Sequence, residues 1–156
     1  MRSTFEHAWA PIQAFAHQIC LLPPALWVYC LSCEGGFVAL TADSSRYVPG
    51  SAFIRSRSVQ NVAYVSVQDL ARKNEGPLHV MGHLVDHHLG CGGDPEGRWL
   101  SDGNGVNEVW QEAAQRLLSL FSLGYAVDEC AAASASDYFA QSLALYCLDR
   151  QRLNGA

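Results

Sequence analysis

Leu78-His79-Val80-Met81-Gly82-His83-Leu84-Val85-Asp86-His87-His88-Leu89-Gly90 is the stretch on which the reading of this chain turns. It holds four of the six histidines. Leu78, Met81, Val85 and Leu89 fall at i, i+3, i+7 and i+11, an apolar stripe of helical period. On the same wheel His79, His83, Asp86, His87 and Gly90 gather on a different face. Pro77 stands at the start, where a missing N–H costs nothing, and Gly90 with Cys91-Gly92-Gly93-Asp94-Pro95 ends the helix. Histidines four apart are neighbours one turn up a helix face, so their ring nitrogens can converge on one ion. The competing reading is a solvated helix whose histidines are surface residues.

The segment PLHVMGHLVDHHLG resembles the active-site helix of the zincin metallopeptidases, above all the anthrax lethal factor-like group and its Pro-Pro endopeptidase relatives. Their pattern is HExGHxxDxxxG, and His79, Gly82, His83, Asp86 and Gly90 match it. Val80 stands where that family has the glutamate of HExxH.

In that family a third ligand comes from a later helix, in a segment of the form ExFAExFxxY. Ser136-Asp137-Tyr138-Phe139-Ala140-Gln141-Ser142-Leu143-Ala144-Leu145-Tyr146 is similar to it. The resemblance therefore implies zinc held by His79, His83 and Asp137, with Asp137 in place of the glutamate ligand and Gln141 in place of the second glutamate. An acidic residue in the first turn also stabilises a helix without any metal. The family's oxyanion-binding tyrosine lies seven residues before the third ligand, which is Cys130 here, a poor donor. Asp86 is the expected acceptor that fixes a ligand's tautomer. A shifted frame, His83-Leu84-Val85-Asp86-His87, mimics an inverted HxxEH motif but leaves Asp137 unused.

The chemical consequence follows from Val80. The family's glutamate takes a proton from water and passes it to the leaving amine, and such general acid–base catalysis is worth about 10²–10⁴-fold. Valine carries no proton. The expectation is a zinc-holding, metallopeptidase-like protein without catalytic residues, a pseudoenzyme that acts by binding a peptide or protein partner. The alternative is an active metallopeptidase using a displaced base, with Glu108, Glu112 or His87 as candidates.

The remaining chain supports one α+β domain over 1–156: a zincin-like core with a small β-sheet followed by the active-site helix and two further helices. The family resemblance extends over roughly residues 22–150. Residues 5–20 read as a helix despite Pro11, Ala25–Leu31 as a strand or short helix, and Phe37–Leu40 as a strand. Thr41–Ser58 reads as loop or short hairpin, Asn61–Gln68 as the best strand, and Asp69–Gly76 as a polar connector. Asn107–Leu123 is a long helix packing through Val109, Trp110, Ala113, Leu117, Leu120 and Phe121. Ser136 caps a last helix, Asp137–Leu153.

Composition bounds the function classes. The chain has 156 residues, 49% apolar and 16% charged, enough for a real core. Net charge is −5 with scattered basic residues, which argues against nucleic acid. No apolar run reaches membrane-spanning length. Glu6, His7, Gln13 and His17 interrupt the place a signal h-region would take. Six cysteines include Cys30-Leu31-Ser32-Cys33 but no second CxxC, and Cys20, Cys30 and Cys147 read as small hydrophobes. The expected compartment is a reducing cytoplasm, or secretion if a leader has been removed.

Overall fold

The computed structural model describes residues 2–33 and 35–149. It is a mixed α+β structure in which one helix touches nearly everything else. The elements are α1 (Arg2–Ile19), α2 (Pro24–Ser32), β1 (Phe37–Thr41), β2 (Arg46–Ile54), β3 (Arg57–Ser66), α3 (Val67–Arg72), α4 (Gly76–Cys91), α5 (Glu108–Ser122) and α6 (Ala135–Leu148). A 3₁₀ turn, Leu100–Asp102, follows α4.

The histidine stretch is α4, and its stripe is not one-sided. Leu78, Met81, Val85 and Leu89 are buried as expected, but so are Val80, Leu84, Asp86, His87 and His88. A helix covered all round belongs at the centre of a domain. It packs on α6, on β3 and on the 3₁₀ turn. Gly92 ends it in the left-handed conformation (φ 70°), its N–H bonded to the His88 carbonyl. Two glycines let its neighbours come close. A Cβ on Gly82 would lie 2.6 Å from Ala140 Cα of α6, and one on Gly90 would lie 2.3 Å from the Leu100 nitrogen.

The sheet has the order β1-β3-β2, with β1 parallel and β2 antiparallel to β3. As the middle strand, β3 buries Val62, Ala63 and Val65 on both faces. Of the two readings of Thr41–Ser58, loop or short hairpin, the hairpin holds: β2 occupies Arg46–Ile54 and pairs antiparallel with β3. Arg55 and Ser56 both take positive φ (47° and 66°), the conformation of a two-residue type I′ turn. Pro49-Gly50 interrupts the register between Val48 and Ser51. Proline cannot donate to a ladder, so an edge-strand bulge suits it.

Of the two readings of Ala25–Leu31, strand or short helix, the helix holds: it lies in α2, and Cys33 caps its C-terminus. Two further expectations change. The polar connector after β3 holds α3, started by the Ser66 hydroxyl accepting from Gln68 N–H and anchored by buried Leu70. The last helix begins at Ala135 under Ser134, not Ser136, and ends at Leu148; the expected residues 150–153 lie outside those described. All six cysteines are free, and Cys20, read as a packing residue, is exposed. Among the described residues no helix is long and apolar enough to cross a membrane.

Candidate metal centre

His79 and His83 stand one turn apart on α4, and Asp137 enters from the first turn of α6. The three form a cluster able to hold a metal ion. His79 Nε2 lies 3.0 Å from His83 Nε2. Asp137 Oδ1 lies 3.4 Å from the first and 3.6 Å from the second. Its other oxygen, Oδ2, accepts from the Ser134 hydroxyl at 2.6 Å, while Ser134 Oγ accepts from Asp137 N–H. Asp137 is thus both a first-turn acid and the third member of the cluster.

Hydrogen bonding settles which ring nitrogens carry protons. His83 Nδ1 meets Ser136 Oγ at 2.9 Å, and that hydroxyl meets Asp86 Oδ2 at 3.0 Å. An ionised carboxylate only accepts, so the hydroxyl donates to Asp86 and accepts from His83 Nδ1–H. His79 Nδ1 meets Gln141 Oε1 at 3.1 Å, and an amide oxygen only accepts. In their neutral forms both rings are therefore Nδ1–H tautomers with Nε2 lone pairs turned inward. Two lone pairs and a carboxylate oxygen pointed at one another repel unless a cation or proton lies among them. The donor set and tautomers fit a metal ion.

Asp86 acts as expected but at one remove: it orients His83 through Ser136. It is fully buried and also accepts from Ser101 N–H at 2.8 Å and Ser101 Oγ–H at 2.7 Å. Burial pushes its carboxyl up to about 6, against the pull of these hydrogen bonds. Burial pushes His83 down to about 4, helped by the neighbouring His79 and opposed by Asp137. Both shifts favour the neutral forms.

A cleft of about 280 Å³ opens beside the cluster, lined by His79, Val80, His83, Tyr47 and Trp99 together with Ser45 and Arg46. Val80 thus faces the cleft where the HExxH pattern would put a carboxylate. Trp99 stacks on His87 with ring centroids 5.1 Å apart and closes one side. Cys130 is exposed; partial burial, then Asp137, Asp128 and Glu75 push its thiol pKa up, so it is uncharged at neutral pH.

The displaced-base candidates are not brought to the cleft. Glu112 pairs with Arg116 on the solvent side of α5, and Glu108 is exposed in its first turn. His87 is buried with both nitrogens engaged: Tyr47 Oη–H donates to Nδ1 at 2.6 Å, and Nε2–H donates to the Asp94 carbonyl at 2.8 Å. The inverted HxxEH frame fails on the same bonds. His88 is turned back on its own helix, its Nδ1–H donating to the Leu84 carbonyl at 2.8 Å.

Sequence reasoning missed Ser136 and Ser101 as site residues and took Ser136 for a cap. The signal was present, since Ser134-Ala135-Ser136-Asp137 is itself a Ser-x-x-acid start that puts the cap on Ser134. No family model, curated protein or solved structure matches this chain.

Proposed function

We propose that this chain is a zincin-like, metallopeptidase-related protein that holds zinc through His79, His83 and Asp137 and acts by binding rather than by hydrolysis. Two imidazoles and one carboxylate are a common zinc donor set. When bound, zinc supplies Lewis-acid polarisation of a carbonyl. The protein's own residues supply the rest of any peptidase reaction, and here they do not. Val80 can neither accept nor donate a proton, and Cys130 replaces the hydroxyl that would donate to a developing oxyanion. Tyr47, the hydroxyl on the cleft wall, already donates to His87.

The observation that carries this reading is Val80 lining the cleft between the two histidines. A cleft with Trp99 and Tyr47 on its walls, bordered by the edge strand β2, suits a peptide or protein segment laid beside the metal.

Val80→Glu tests it. With zinc present, the added carboxylate should raise hydrolysis of a peptide library from background by about 10²–10⁴-fold. Hydrolysis by the wild-type chain that vanishes in His79→Ala would overturn the proposal.

A further inference from the structure

Gln141 is fully engaged, and its orientation is fixed from behind. Its side chain is buried on α6. One amide hydrogen goes to Glu75 Oε2 at 2.6 Å and the other to Asp128 Oδ2 at 2.9 Å. Asp128 is held in turn by Ala131 N–H, which donates to Oδ1 at 2.9 Å. Flipping the amide would turn its oxygen toward two carboxylates and its N–H groups toward His79. Two charge-assisted hydrogen bonds would be replaced by two acceptor–acceptor contacts. The flip is blocked, so Gln141 Oε1 stays on His79 Nδ1.

We infer that Glu75 and Asp128 are positioning residues for the metal centre: by holding the Gln141 amide they fix His79 in the tautomer whose Nε2 lone pair faces His83 and Asp137. Glu75 is the residue before the first turn of α4 and Asp128 lies between α5 and α6, so the lock ties both ligand-bearing helices to one amide. The two ligand histidines are thus oriented by different devices. His83 uses a hydroxyl relay to buried Asp86; His79 uses an amide clamped by two acids. The purpose of the lock rests on the metal-centre reading, but its existence does not.

The test is ¹⁵N NMR of zinc-free protein, at a pH where the rings are neutral, for wild type and Glu75→Gln/Asp128→Asn. Neutral amides at 75 and 128 can donate or accept, so they release the flip while changing little in shape. Wild-type His79 Nδ1 should give a pyrrole-type shift. In the double variant it should move toward the pyridine-type value as both tautomers are populated. Adding Gln141→Glu, which presents an oxygen in either orientation, should restore the wild-type shift.

In zinc titrations of the same proteins the double variant should lose about 10–100-fold in affinity, the usual cost of a missing outer partner. A pyridine-type Nδ1 in wild type, or a shift that the double variant leaves unchanged, would overturn the inference. Absence of zinc binding in wild type would instead overturn the proposed function, with the NMR result still deciding the lock.

Discussion

Gly82→Ala places a methyl group where α4 approaches α6 closely, between the two helices that carry the candidate ligands. The new Cβ would stand 2.6 Å from Ala140 Cα, 2.9 Å from Ala140 Cβ and 3.0 Å from the Ala140 carbonyl oxygen. Carbon atoms rest at about 3.5–4.0 Å, so α4 and α6 must part by roughly 1 Å at this point. The obstacle is backbone, which cannot swing aside as a side-chain tip can. Two effects of opposite sign compete. Alanine is better than glycine inside a helix by about 1 kcal/mol. Overpacking costs about 1–3 kcal/mol, and a backbone neighbour puts this site at the upper end.

The clash wins by about 1–2 kcal/mol, a fall of roughly 2–8 °C in Tm. The functional effect is larger than the stability effect. Ala140 follows Asp137 by one turn, so the movement carries Asp137 Oδ1 away from both Nε2 atoms. Metal sites tolerate only about 0.2 Å of error in ligand distance, and zinc affinity should fall by an order of magnitude or more. Thermal unfolding and competitive zinc titration measure the two quantities. Gly92→Ala is the contrast: nothing lies within 4 Å, but its φ of +70° strains any side chain. It should cost about 1–2 kcal/mol and leave zinc affinity alone. A Gly82→Ala protein with unchanged Tm and unchanged zinc affinity would refute this account of the α4–α6 contact.

Other perturbations separate the roles of the buried polar groups. In metal-free protein, folding holds the His83 pKa near 4 while the unfolded value is about 6.5. Acidification through that window therefore removes about 3 kcal/mol. Folded Asp86 takes its proton near 6, the unfolded residue only near 3.9. It contributes a similar amount with opposite sign as pH falls. Asp86→Asn abolishes only the second effect, so urea midpoints should drop more steeply from pH 6.5 to 4 than in wild type; a shallower drop would contradict the assignment. Tyr47→Phe leaves His87 Nδ1 a buried acceptor without a donor, costing about 1–3 kcal/mol. Zinc titration should be unaffected, whereas a large loss would make His87 part of the metal site.

The central helix was legible because its apolar residues repeat at helical spacing and its glycines fall where neighbours press closest. The sequence alone could not show that α4 is covered on every side, which turns Asp86, His87 and His88 from face residues into buried groups needing partners. His79 and His83 follow from spacing; Asp137 was reached only through family resemblance, because it comes from a helix more than fifty positions away. Thr41–Ser58 could be read only as loop or short hairpin for a physical reason. Its turn uses Arg55-Ser56 rather than a glycine-containing pair, and Pro49-Gly50 breaks the alternation that marks a strand. The clamp on Gln141 involves three segments distant in sequence, and no local pattern encodes it.

The most direct test of the whole account is the metal content of the purified, untagged protein, with His79→Ala as control. The account predicts about one equivalent of zinc per chain in wild type and none in the variant, because His79, His83 and Asp137 offer a two-imidazole, one-carboxylate donor set with its ligand atoms drawn together. Wild-type protein prepared with zinc in the buffer that carries no metal, and whose Tm does not rise on adding zinc, would contradict it.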